Sequence, residues 1–180
     1  MVWRLNFQME QSKKESSNKQ EKMVADYMGW KVVKGSGSRP FAPGDVNSYN
    51  FLVECKTHID EQESIIFYKK HWKKISEEAL SKHKYPVLIT DNGTQKSNNT
   101  WVMLPKRMLS DDSVFKLFGL SNTSRSGNTV TFSHIAATSL YKSGHTDNRI
   151  NYFPEWFDDE QVAIMPLAEF RDFCKEEFGC

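Results

Sequence analysis

An α/β layered domain is the fold class this sequence predicts, on three observations. Segments with helical and strand periodicity follow one another in the order α-β-β-β-α-β with additions, the pattern of a sheet covered by helices. The chain has 180 residues, enough for one domain with a real core and short of what two usually need. Apolar residues make up 38% and charged residues 26%, so a core and a solvated surface are both available.

Residues 1–16 are polar and mixed in charge, and read as an N-terminal arm. "SNKQEKMVADYMGW" predicts a helix, with Ser17 and Gln20 at capping-box spacing and Gly29 where a C-terminal glycine cap belongs. "WKVV" reads as a strand, and "DVNSYNFLVECKT" as a hairpin whose second strand is dense in β-branched and aromatic residues. "SIIFY" is a further short strand. "KKHWKKISEEALSKHK" carries Trp72, Ile75 and Ala79 as one apolar stripe and predicts a helix. "YPVLIT" reads as a buried strand, "NGTQKSNN" as a polar turn and "TWVML" as another strand. "SDDSVFKLFGL" resembles a short capped helix, and residues 121–160 carry no clear period. "VAIMPLAEFRDFCKEEF" closes the chain as a strand and a helix.

Several classes of protein fall away at this stage. No apolar run approaches the roughly 20 residues that span a bilayer. The start lacks the apolar stretch of a signal peptide, so a cytoplasmic protein is expected, with no membrane partner. Cys55, Cys174 and Cys180 show no paired metal-ligand spacing and read as reduced thiols, and the histidines show no zinc spacing. Charge is uneven. Residues 1–84 hold 15 Lys and Arg against 11 Asp and Glu, whereas residues 85–180 hold 9 against 12. A basic first half is compatible with nucleic acid, although solvated lysines on helices give the same asymmetry.

The hairpin holds the most specific chemistry. Side chains alternate along a strand, so Glu54 and Lys56 share one face, and Asp45 sits beside them on the neighbouring strand. Two carboxylates beside a lysine suit a hard divalent cation such as Mg²⁺, which needs only one or two carboxylates plus waters and substrate phosphates. The lysine can orient or deprotonate an attacking water and stabilise charge building on a phosphate. An isolated Glu-x-Lys is more often a surface ion pair of little energy. Here, though, the pair follows the apolar run "FLV", and an Asp preceded by Pro43 and Gly44 heads the partner strand.

"PGDV" followed by "FLVECKT" resembles the catalytic motif of the PD-(D/E)xK nuclease superfamily, with Asp45, Glu54 and Lys56 as the signature residues. The wider pattern over residues 17–104 is similar to archaeal-type and phage Holliday junction resolvases. It departs in one place: Gly44 stands where the motif has Pro, with Pro43 one position earlier. The resemblance implies a restriction-endonuclease-like core with a central mixed β-sheet flanked by helices. Residues 17–180 would form the nuclease domain, with an insertion over about 105–160 and a closing strand and helix over 161–180. It implies Mg²⁺, with Mn²⁺ as a substitute, held by Asp45 and Glu54 with help from Glu21. Glu21 lies on the inward side of its helix with Val24, Ala25 and Met28, and Glu15 is the alternative for its role. Lys56 would handle the attacking water.

Contacts to DNA are expected from two segments. The "KGSGSR" loop offers Lys34, Ser36, Ser38 and Arg39, whose glycines let the backbone approach phosphates, and a plain connector has the same composition. Lys69, Lys70, Lys73 and Lys74 cluster at a helix start and can track a phosphate backbone, as can any solvated helix face. The function that follows is a Mg²⁺-dependent endonuclease on four-way junctions, acting as a homodimer encoded by a bacterium, an archaeon or a phage. A restriction- or repair-type nuclease on duplex or flapped DNA, and a catalytically silent DNA-binding protein on the same fold, are the alternatives.

Overall fold

The computed structural model describes residues 2–33, 44–109, 121–123, 128–135 and 162–179. The elements run α1 (Val2–Met28), β1 (Lys31–Val32), β2 (Val46–Asn47), β3 (Phe51–Lys56), β4 (Ser64–Tyr68), α2 (Lys69–Ser81), β5 (Tyr85–Asp91), β6 (Thr100–Pro105), β7 (Ser121–Thr123), β8 (Thr129–Ser133), β9 (Val162–Pro166) and α3 (Leu167–Phe178). The expected "SDDSVFKLFGL" helix lies outside the described residues, as does the "KGSGSR" loop.

A six-stranded sheet in the order β1-β2-β3-β5-β6-β9 forms the centre. The β2–β3 hairpin is antiparallel, β3 and β5 run parallel with Glu54 opposite Leu88, and β6 and β9 continue antiparallel. The sheet is therefore mixed and flanked by helices, an α/β arrangement as the order of elements predicts. Each face has its own core. Val53, Cys55, Val87, Ile89, Val102 and Met165 pack against α1 and α3. Leu52, Leu88, Met103 and Ile164 pack against Trp72, Ile75 and Ala79 of α2, the predicted stripe, each of the three fully buried. Phe51 of β3 packs on Trp30, between α1 and β1, at 5.6 Å and on Phe170 and Phe178 of α3 at 5.4 Å and 5.1 Å between ring centroids. A large apolar side chain so enclosed contributes about 1.5–3 kcal/mol.

One expectation is corrected. The first helix does not start at Ser17. It runs unbroken from Val2 through the stretch read as an arm, and ends at Gly29 (φ +72°), where Trp30 N donates to Ala25 O at 2.9 Å. Gln20 is fully buried, and its side chain bonds β3 rather than capping the helix. The strand β4 lies outside the central sheet. It pairs antiparallel with β8, and β8 with β7, in a second sheet built partly from the region expected to be an insertion. Among the described residues no helix is long and apolar enough to cross a membrane.

Candidate active site

The hairpin's far end, where β3 finishes, brings the charged residues together. Gly44 makes this possible. Its φ is +74°, which side-chain-bearing residues rarely adopt, and a Cβ there would lie 2.9 Å from the Leu52 side chain and 3.1 Å from Val53 O. That turn aims Asp45 back onto β3. Asp45 N donates to Val53 O at 2.7 Å, and Asp45 Oδ2 accepts from Cys55 N at 2.8 Å. Proline, fixed near φ −65°, cannot take this conformation, which gives the departure at Gly44 a physical reason.

Glu54 is buried at 3% exposure and holds two cations. Lys56 Nζ is 2.6 Å from Glu54 Oε1, 3.0 Å from Cys55 O and 3.9 Å from Asp45 Oδ2. Lys74, from α2, places Nζ 3.2 Å and 3.1 Å from the two Glu54 oxygens. Burial alone would raise the Glu54 carboxyl, but Lys56 and Lys74 outweigh it and hold the group below its ordinary value. Lys74 is affected in the reverse sense: burial would lower it, and Glu54, Glu78 and Asp45 raise it.

Glu21 reaches the same cluster from the opposite layer. Burial, reinforced by the charges of Asp45 and Glu54 against the opposing pull of Lys56, pushes its carboxyl up to about 7. The neighbouring Gln20 fastens α1 to the strand end, its Nε2 donating to Lys56 O at 2.7 Å. On the α2 side, His71 is pushed down to about 4 by burial and by Lys56 and Lys70, so it is neutral at pH 7. Beyond Lys56, Thr57 Oγ1 donates to Asp91 Oδ1 at 2.6 Å and so braces the end of β3 against β5.

Of the residues singled out by sequence, the structure unites Asp45, Glu54 and Lys56 and brings Glu21 within their field. Lys69 and Lys70 begin α2, Lys70 lying 5.6 Å from the centre of the Tyr68 ring, and Lys73 is exposed. Lys74 is the exception in its cluster, because it enters the site. Lys34, Ser36, Ser38 and Arg39 lie outside the described residues. Sequence reasoning missed Gln20 and His71. Gln20 shares a helical stripe with Val24 and Met28, a signal that could have found it. His71 precedes Lys74 by three positions, the same-face spacing, but nothing in the sequence ties that face to Glu54.

Among the described residues no three His, Cys, Asp or Glu side chains are gathered closely enough to form a metal cluster. Two observations nevertheless fit a hard cation. The site's oxygens come from Asp45, Glu54 and the Cys55 carbonyl, all hard donors, and Mg²⁺ needs few from the protein. Gln20 Oε1 is buried with no hydrogen-bond partner among the described residues, an acceptor suited to a water of hydration. No protein-family model matches the chain, and neither a curated protein nor a solved structure does.

Proposed function

We propose that this protein is a Mg²⁺-dependent DNA endonuclease with a restriction-endonuclease-like core, cutting branched DNA and acting as a homodimer on four-way junctions. One observation carries the reading: a buried Glu54, a pinned Asp45 and the ammonium of Lys56 converge within 2.6 Å and 3.9 Å at a strand end. Asp45 and Glu54 would hold the metal, and Glu21 would join them once ionised. When bound, the metal supplies a Lewis acid for the phosphoryl oxygens. As an ammonium, Lys56 would orient the attacking water, favour its hydroxide form by charge while the proton leaves to solvent, and face the charge that builds on the phosphate. Asp45 and the Cys55 carbonyl keep the Lys56 ammonium in place during this work. His71, neutral at pH 7, adds no positive charge beside the lysines.

The dimer and the preference for junctions rest on the resemblance and on symmetry. One such site cuts one strand, resolving a junction needs two related cuts, and closed two-fold dimers are the commonest way to supply them. A silent DNA-binding protein is the second reading, favoured by the engagement of both Glu54 oxygens by lysines. The test is a cleavage panel of four-way junction, flap, single-stranded and duplex DNA with Mg²⁺, alongside the mass of the protein in solution. A dimer that cuts the junction in preference is the expected result. A monomer that cuts linear duplex as readily removes the resolvase reading, and a protein that binds DNA but cuts nothing removes the nuclease.

A further inference from the structure

Lys74 does not lie on the open face of α2 with Lys73. Its ammonium bridges both oxygens of Glu54 at 3.1 Å and 3.2 Å. Glu54's side chain is 4% exposed and Lys74's is 50% exposed, so the pair joins a buried acid to a base with one side in water. Lys56 takes Oε1 as well. Both Glu54 oxygens are thus held by ammonium groups before any divalent cation arrives. A cation that binds at Glu54 needs an oxygen that an ammonium already holds, so one ammonium must withdraw. Lys56 is also held by the Cys55 carbonyl and Asp45. Among the described residues Lys74 otherwise has only a long contact to Glu78, 3.8 Å away and one turn along its own helix, and its side chain is 50% exposed. Lys74 is the group that can leave.

Resting on the metal reading above, we infer that Lys74 is the displaceable counter-ion of Glu54: a divalent cation releases its ammonium, which then pairs with a phosphate of the bound DNA. The site in the free protein is closed by its own lysine. On loading, that lysine becomes a contact to substrate at the mouth of the site, set apart from Lys69, Lys70 and Lys73.

The experiment measures Mg²⁺ binding to the free protein by calorimetry, for the wild type, Lys74→Gln, Lys74→Met, Lys73→Gln and Glu54→Gln. Junction binding in Ca²⁺ is then measured against salt. Removing a competing ammonium from a half-exposed pair should tighten Mg²⁺ about fivefold in both Lys74 variants, whereas Lys73→Gln leaves it unchanged. The salt slope of junction binding by Lys74→Gln should fall by about 0.9. A lysine that merely tethers α2 to β3 predicts the reverse sign for the metal, since its loss would loosen Glu54. Mg²⁺ binding that Glu54→Gln abolishes but the Lys74 variants leave unchanged or weaken overturns this inference alone. A wild-type protein that takes up no Mg²⁺ overturns the metal reading, and the inference with it.

Discussion

Glu21→Gln should make the metal-free protein more stable at pH 8 and change little at pH 4. The carboxyl sits near 4.5 in an unfolded chain and at about 7 in the fold, pushed there by burial and by Asp45. Between those values the folded protein holds a proton that the unfolded chain has lost, so stability falls as pH rises across the window. Below 4.5 the penalty is absent, and above 7 it is complete. A displacement of this size corresponds to about 3.4 kcal/mol at 1.36 kcal/mol per unit. Solvent at a half-buried carboxyl reduces this to about 1–2 kcal/mol. Glutamine keeps the shape and carries no charge. In EDTA at pH 8 the variant should therefore melt about 3–6 °C above the wild type for a domain of this size. Parallel melts followed by tryptophan fluorescence at pH 4 and pH 8 decide it. An equal advantage at both pH values, or none at pH 8, refutes the claim that an ionised Glu21 is strained by its surroundings. Saturating Mg²⁺ should narrow the gap, because a cation at Asp45 and Glu54 relieves the wild-type carboxylate and has no charge to relieve in the glutamine variant.

Three further outcomes follow from the geometry. Asp45→Ala, Glu54→Gln and Lys56→Ala should each slow Mg²⁺-dependent cleavage at least about a hundredfold while leaving DNA affinity measurable, and wild-type cleavage by Asp45→Ala would sink the mechanism. Gly44→Pro would create the Pro-Asp dipeptide of the motif the hairpin resembles, yet at φ +74° it should destabilise the fold by about 3 kcal/mol or more and misplace Asp45; a stable, active variant in denaturant titration and cleavage assays would contradict the assigned turn. Replacing Lys69, Lys70 and Lys73 together by Gln should lower the log–log salt slope of DNA binding by up to about 2.7, and an unchanged slope would make that helix face merely solvated.

What was legible in the sequence was what local patterning controls. The hairpin showed in the apolar run ending at Glu54 and Lys56, because alternation alone puts those two on one face. The stripe of Trp72, Ile75 and Ala79 showed because its spacing matches one side of a helix. The start of α1 is not legible because the capping signal at Ser17 and Gln20 is local, whereas Gln20 is committed to Lys56 O, 36 positions away. Likewise β4 looked like any short strand, and its partner β8 lies in a Ser- and Thr-rich stretch whose pairing is set by tertiary contacts rather than by propensity. Lys74 was grouped with its neighbours by charge. Only the crossing of α2 over β3 separates it from them.

The order in which the strands close the sheets has a consequence for synthesis on the ribosome. Asp45, Glu54, Lys56 and Lys74 all emerge early, but β6 receives its partner β9 only after Val162 has been made, and β4 waits for β8. Until then β6 presents an open edge, and the α1 face lacks Leu167 and Phe170 of α3. A nascent chain paused in this interval carries the full charged cluster on an unfinished scaffold, with an unpaired strand open to other chains. Holdase chaperones that bind exposed apolar strands would find their target in that interval, and the completed sheet would release them.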